Sequence, residues 1–245
     1  MRRQLLSVCM EGCEPMKTAA IILAAGSGTR MKAGKNKLFL TLQGRTVLEH
    51  TASVFQNCPL VDGIVVVARD TELPQVQQIL PQTVYNKILC YTAGGAERQD
   101  SVLCGLQVLP ADFEQVLIHD GARPFVTDQL IQDLLAQVTP QCGAIAGVPA
   151  KDTIKRVNDA GLVQQTLQRR ELWNIQTPQC FYTASILRCY QQGKADGYCA
   201  TDDASLAEQY GLAVKVVPSY YENIKLTTPE DLDVAEVFLK RMRSR

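Results

Sequence analysis

The run from Ala19 to Ala25, AAIILAA, carries no polar side chain. A strand with one wet face alternates apolar and polar residues, so such a run reads as a strand covered on both faces. Four more segments read as strands of the same kind: Ile64–Ala68, Ile88–Tyr91, Val116–His119 and Ala144–Val148. Helical segments separate them. Thr46 is placed to cap a helix across 47–57 whose Val47, Leu48, Thr51, Ala52 and Phe55 share one face. Further helices are expected around 71–80, over 97–109 with Val102, Leu103, Leu106 and Leu109 inward, and from Thr127-Asp128 to about Val138. One more starts near Thr183, one spans 202–210 with Thr201 as cap, and a strand covers Ala213–Val217. The last helix opens at Thr228-Pro229-Glu230-Asp231, with Leu232, Ala235, Val237, Phe238 and Leu239 as its buried side. Strand alternating with helix predicts one Rossmann-like α/β domain, with a mostly parallel twisted sheet and helices on both faces.

The rhythm fails at 149–173. Ile154–Val157, a turn at Asn158-Asp159-Ala160-Gly161, and Leu162-Val163 read as a β-hairpin. The segment has too few apolar residues for a core of its own. It is therefore expected either to project as an arm that packs on a second subunit, which we favour, or to fold over its own domain.

Lys plus Arg equals Asp plus Glu, at 25 each, which gives no support for a nucleic-acid or membrane-surface role. Nine cysteines are scattered without a C-x-x-C pair, and there are two histidines. That argues against a zinc site or a disulfide framework and for a reducing cytoplasm. Cys90, Cys104, Cys142 and Cys180 are expected to pack as small core residues. No apolar run approaches the roughly 20 residues of a membrane span. Residues 1–16 read as a loose tail, without the apolar core of a signal peptide, and 17–245 as the domain.

After the first run the chain breaks into Gly26-Ser27-Gly28-Thr29-Arg30, with Lys37 a little further on. Two glycines allow a tight turn close to a bulky polar ligand, and two cations stand beside it. At the carboxyl end of a parallel strand this points to a polyphosphate site. The dinucleotide fingerprint would need a small residue where Met31 stands. A P-loop would need four residues, not five, between Gly28 and Gly34-Lys35.

Four other segments can carry chemistry. Gly94-Gly95 brings backbone close enough to read a planar base, with Ser101 adding a hydroxyl; a helix-capping turn accounts for it equally, and the two are compatible. Asp120, at a strand end beside Arg123, is suited to hold Mg²⁺ against a triphosphate, with Arg123 on the acceptor; the plain alternative is a surface ion pair. Thr153 and Arg169 suit a phosphate or are part of a solvated basic face. Asp202 is a second metal ligand or a first-turn helix acid, and Lys225, between a strand and a helix, can point into the same cleft.

A-A-G-x-G-x-R-M with N-K resembles the nucleotidyltransferases that build nucleoside diphosphate sugars and alcohols. Together with H-D-G-A-R-P, K-D-T-I-K, R-x-x-L-W, Q-T-P-Q-x-F, T-D-D-A-S and N-I-K-x-T-x-P-E-D-L, it resembles the 2-C-methyl-D-erythritol 4-phosphate cytidylyltransferases over about residues 18–240. The resemblance implies transfer of a cytidylyl group from CTP to methylerythritol phosphate in non-mevalonate isoprenoid synthesis, by a Mg²⁺-dependent homodimer with an exchanged arm. It implies that Arg30, Lys37 and Lys225 are catalytic. It puts Ala24, Ala25, Gly26, Ser27, Gly28, Gly95, Ser101 and Asp120 at CTP, with Asp120 also on the metal. Arg123, Thr153, Arg169, Thr177 and Thr201 would bind the acceptor, Thr153 and Arg169 from the partner's arm. Ala96 stands where many relatives carry an acid, leaving backbone contacts to the base. Rival readings are a ribitol 5-phosphate cytidylyltransferase and a non-catalytic nucleotide-binding regulator.

Overall fold

Apolar strands without a wet face can be satisfied only by helices on both sides, and that is the arrangement adopted. The computed structural model describes residues 16–26 and 36–243. In chain order the elements are β1 (Lys17–Leu23), a 3₁₀ turn (Lys37–Phe39), β2 (Thr41–Leu42), β3 (Arg45–Thr46), α1 (Val47–Asn57), β4 (Gly63–Ala68), α2 (Leu73–Ile79), β5 (Ile88–Ala93), α3 (Arg98–Gln107), β6 (Phe113–Asp120) and α4 (Asp128–Leu135). Then come β7 (Cys142–Pro149), β8 (Lys155–Val157), β9 (Val163–Thr166), β10 (Trp173–Tyr182), α5 (Thr183–Asp196), α6 (Asp203–Gln209), β11 (Ala213–Pro218) and α7 (Pro229–Arg243).

Seven strands form one sheet in the order β11-β7-β10-β6-β1-β4-β5. β1 pairs in parallel with β4 and β6, β4 with β5, and β7 with β11, whereas β10 runs antiparallel between β6 and β7. Successive residues of β1 feed opposite cores. Ala20 and Ile22 pack with α1, α2, α4 and α7, and Ala19 and Ile21 pack with α3, α5 and α6. The chain moves outward from β1 through β4 to β5, then crosses back to β6 on the other side of β1. The carboxyl ends of β1 and β6 thus flank the switch point where open α/β sheets bind ligands.

Local chemistry explains the ends. Thr46 and Glu49 form a reciprocal capping box that starts α1, and all five apolar-face residues expected there are buried. Gln43 and Gly44 both have positive φ in the turn joining β2 to β3, a conformation Gly tolerates freely. β8 and β9 form the expected hairpin, with Gly161 at φ +76° in its turn, and every residue of both strands is exposed.

Several expectations are corrected. β10 was not foreseen, because Asn174, Gln176, Thr177, Pro178 and Gln179 interrupt any strand pattern. Its register with β7 breaks between Ile175 and Gln179. Asp202, not Thr201, caps α6; it accepts from the Ser205 N–H at 2.9 Å. Val237 faces solvent, since it lies off the stripe formed by Ala235 and Leu239. Cys180 is fully buried, but Cys90, Cys104 and Cys142 are only partly so. The seven described cysteines are all free thiols. The proposed tail falls almost wholly outside the described residues.

Candidate active site

A cleft of about 680 Å³ opens at the carboxyl ends of β1, β4, β5 and β6. Ala25 and Gly26 enter it from β1, and Lys37 from the 3₁₀ turn. Gly95 and Ser101 reach it from the β5–α3 junction, Asp120 from β6, and Lys225 from the loop before α7. Ala24 is buried just behind, its N–H donating to Val67 O at 2.6 Å. Ser27, Gly28 and Arg30 lie outside the described residues.

Asp120 is the electrostatic centre. Lys225 Nζ lies 2.8 Å from Oδ2, Arg98 Nε lies 3.5 Å from Oδ1, and Arg123 Nε lies 3.7 Å from Oδ2. Burial alone would raise this carboxyl, but Lys225, Arg98 and Arg123 outweigh it and hold it well below the usual carboxylate range.

Arg98 was not singled out from the sequence. It starts α3 and reaches across to α6, where its two terminal nitrogens donate to the two oxygens of Asp203, each at 2.8 Å. Asp203 is fully buried and also accepts from the Tyr190 hydroxyl. The second acid of T-D-D-A-S is therefore the buried one. Asp202, weighed as a second metal ligand or a first-turn acid, is the N-cap of α6 and spends its carboxylate on the Ser205 N–H and on Gln179 Nε2 at 2.8 Å.

Behind Asp120 a second network fixes the backbone. His119 has no exposed surface. Its Nε2 faces Arg123 O at 3.0 Å, and a carbonyl only accepts, so Nε2 carries the proton. Nδ1 then accepts from the Thr177 hydroxyl at 3.0 Å, while Thr177 Oγ1 accepts from the Asp120 N–H at 3.1 Å. Burial pulls the His119 pKa down to about 4, so the ring is neutral at pH 7. Arg123 is also turned inward, with Nη1 donating to Asn223 O at 2.8 Å. Asn223 Nδ2 donates to Gln176 Oε1 at 3.0 Å and Thr177 O at 2.9 Å, which anchors the loop that carries Lys225.

The cleft thus gathers Lys37, Lys225, Asp120, Gly95 and Ser101. Arg123 and Thr177 sit behind it: Thr177 Oγ1 and Arg123 Nη1 are hydrogen-bonded within the protein, whereas Arg123 Nε is buried without a hydrogen bond, 3.7 Å from Asp120 Oδ2. Thr153 and Arg169 are exposed on the arm segment; Arg169 donates to Lys151 O at 3.0 Å and borders a separate open hollow with Pro149 and Ala150. Thr201 is exposed, its hydroxyl 3.1 Å from Ser205 Oγ. Arg69, at the end of β4, lines the cleft and was missed; a lone Arg after an apolar strand gives no signal in a sequence.

A family model described as IspD, 2-C-methyl-D-erythritol 4-phosphate cytidylyltransferase, matches residues 18–241. The chain belongs to this family. A 2-C-methyl-D-erythritol 4-phosphate cytidylyltransferase of Geotalea uraniireducens (strain Rf4) is 44% identical over 232 residues, which is 94% of this chain and 99% of the relative. One from Geobacillus thermodenitrificans (strain NG80-2) is 46% identical over 224 residues, 91% of this chain and 97% of the relative. The crystal structure of 4-diphosphocytidyl-2C-methyl-D-erythritol synthase from Anaerococcus prevotii DSM 20548 is similar with a TM-score of 0.80 at 34% identity, covering 92% of this chain and 96% of that one. For a cytidylyltransferase the cleft has fitting chemistry: glycine backbone and a hydroxyl on one side, ammonium and guanidinium groups around a carboxylate on the other.

Proposed function

We propose that this cytidylyltransferase binds CTP in the cleft and transfers its cytidylyl group to 2-C-methyl-D-erythritol 4-phosphate, releasing pyrophosphate and giving 4-diphosphocytidyl-2-C-methyl-D-erythritol. The carrying observation is the Asp120 centre, one carboxylate with three cationic groups within 3.7 Å at the switch point of the sheet. The acceptor phosphate is already an anionic nucleophile, so the reaction needs positioning and charge stabilisation rather than a base. Lys37 and Lys225 answer the charge that develops on the α-phosphate and the departing pyrophosphate, a role that the family pattern gives to Arg30 as well. Gly95 and Ser101 meet the cytosine. His119 serves the backbone of Asp120, not the substrate.

The residues fit Mg²⁺ that arrives with the nucleotide. A hard ion takes oxygen donors, keeps several waters and shares phosphate oxygens, so one carboxylate suffices. Asp120 would supply that carboxylate, which its cationic neighbours keep ionised. Among the described residues no group of three or more His, Cys, Asp or Glu could hold an ion unaided. When bound, the ion would offset triphosphate charge and orient the phosphates.

The exposed hairpin, with Val157, Leu162 and Val163 each more than half exposed, supports a homodimer in which the arm lies on a partner. There Thr153 and Arg169 would grip the acceptor phosphate beside Arg123, Thr177 and Thr201. Free thiols suit a cytoplasmic setting. No helix among the described residues is long and apolar enough to cross a membrane.

The deciding experiment measures pyrophosphate release from CTP with each alcohol phosphate in turn. Release with methylerythritol phosphate alone is expected. Preference for ribitol 5-phosphate would move the acceptor assignment, and CTP binding without turnover would mark a nucleotide-binding regulator.

A further inference from the structure

Two strand ends meet beside Lys37, and a small polar cluster joins them. Asn36 is buried, and its side-chain NH₂ has two acceptors, Ala24 O at 3.3 Å and Glu72 Oε2 at 2.9 Å. Its Oδ1 accepts from the Leu38 N–H at 3.1 Å and so caps the 3₁₀ turn that carries Lys37. Arg69 Nε donates to Ala25 O at 3.2 Å, and Arg69 Nη1 stands 4.0 Å from Glu72 Oε1. Every polar atom of the Asn36 amide is therefore used, and only an amide can serve two acceptors and one donor in this arrangement. The partners belong to different elements: the Ala24 and Ala25 carbonyls leave β1, whereas the Glu72 carboxylate and the donor Arg69 follow β4.

We propose that Asn36, Glu72 and Arg69 form a bracket that ties the end of β1 to the start of the Lys37 turn, and that Glu72 and Asn36 are positioning residues for Lys37. The proposal rests on the reading of the cleft as the CTP site. Glu72 touches no substrate in this scheme. It holds the Asn36 amide, which holds the turn, which sets where the Lys37 ammonium stands. Misplacing a charged group by about 1 Å costs on the order of a hundredfold in rate, so a partial loosening is readable in kinetics.

The test is a charge-and-donor exchange. Asn36→Asp turns a donor into a carboxylate facing Glu72 and the Ala24 carbonyl. It should lower kcat about ten-fold or more, as displacement of Lys37 requires, and raise KM for CTP about ten-fold or more while moving KM for methylerythritol phosphate less than about two-fold. Glu72→Gln keeps an acceptor oxygen for Asn36 and should weaken CTP only about two- to three-fold. Combined with Asn36→Asp it offers an NH₂ to the new carboxylate, and the double variant should return to within about three-fold of the parent. A general loss of stability would lower the folded fraction, and with it the apparent kcat, while leaving both KM values unchanged. Should Asn36→Asp fail to fold, Glu72→Ala, which removes the acceptor without adding charge, should show the same CTP-selective defect. An Asn36→Asp or Glu72→Ala enzyme with unchanged KM for CTP, equal effects on both substrates, or no recovery in the double variant overturns the bracket. Calorimetry of the unaltered enzyme with CTP separates the two layers. No CTP binding there sinks the reading of the cleft, whereas normal binding alongside any of those variant results sinks the bracket alone.

Discussion

Replacing Asp203 by Asn tests whether the Arg98 clamp holds the molecule together. The Asp203 carboxylate has no exposed surface and accepts both terminal nitrogens of Arg98 at 2.8 Å, as well as the Tyr190 hydroxyl. Asn offers one acceptor oxygen and an NH₂, so at least one Arg98 donor would face another donor, and the charge attraction disappears. Breaking a buried pair by removing one partner costs about 3–5 kcal/mol. Two features place this site near about 3 kcal/mol: the Arg98 side chain keeps 31% exposure, so water reaches its head, and Asp120 stands 3.5 Å away as a second partner. At about 2–4 °C per kcal/mol for a chain of this size, Tm should fall by about 6–12 °C. Urea titration followed by far-UV circular dichroism gives the free energy, with calorimetry for Tm. Arg98→Met combined with Asp203→Leu removes both charges and should be more stable than Asp203→Asn alone, because no buried charge is left without its partner. An Asp203→Asn protein within about 1 kcal/mol of the parent, or a double variant as unstable as the sum of its singles, would refute the clamp.

Lys37→Ala should lower kcat by about 10²- to 10³-fold with an unchanged circular dichroism spectrum, as expected for loss of a preorganised cation; near-normal turnover would remove Lys37 from the transition state. Arg169→Ala should raise KM for methylerythritol phosphate far more than KM for CTP, and equal effects would argue against an acceptor contact. His119 titrates near 6.5 when unfolded but only at about 4 when buried. Above pH 6.5 both states are neutral; as pH falls from 6.5 toward 4 the unfolded chain takes the proton first, so about 3 kcal/mol of stability should drain away in that window. Urea midpoints against pH read this directly. His119→Gln should flatten the slope, and an equally steep slope without the ring would assign it to other groups.

What was legible in the sequence is what local pattern controls. β1, β4 and β7 announce themselves because nearly every residue is apolar, and α1 because its cap and its stripe agree. β10 was illegible for the opposite reason. Its polar residues are buried yet bonded: Gln176 to Tyr220 O and Asn223, Thr177 to His119 and Asp120, Gln179 to Asp202 and the Ala204 N–H. No local rule predicts partners that far along the chain. The two acids of T-D-D-A-S make the same point. Asp202 and Asp203 are equivalent as helix-start acids, and what separates them is an arginine 105 residues away in sequence.

The site residues divide along the same line. Asp120 could be picked out as a carboxylate closing an apolar strand, and Lys37 and Lys225 as cations within short motifs that carry the family resemblance. Where Arg123 and Thr177 point depends on groups that the sequence does not place nearby. Thr177 Oγ1 holds the Asp120 N–H, and Arg123 holds the Lys225 loop through Asn223 O while its Nε stands 3.7 Å from the Asp120 carboxylate. The charge count shows why such holding is needed. Lys225, Arg98 and Arg123 crowd within 3.7 Å of one carboxylate, and Asp203 offsets only Arg98. Three cations set against two carboxylates leave a net positive rim before any substrate arrives. Such an excess would splay apart unless backbone and buried hydrogen bonds resisted it, and the His119–Thr177 and Asn223–Gln176 contacts are what resist it. A rim fixed in this way lets the electrostatic attraction fall on an incoming polyphosphate instead of being spent on rearranging the protein.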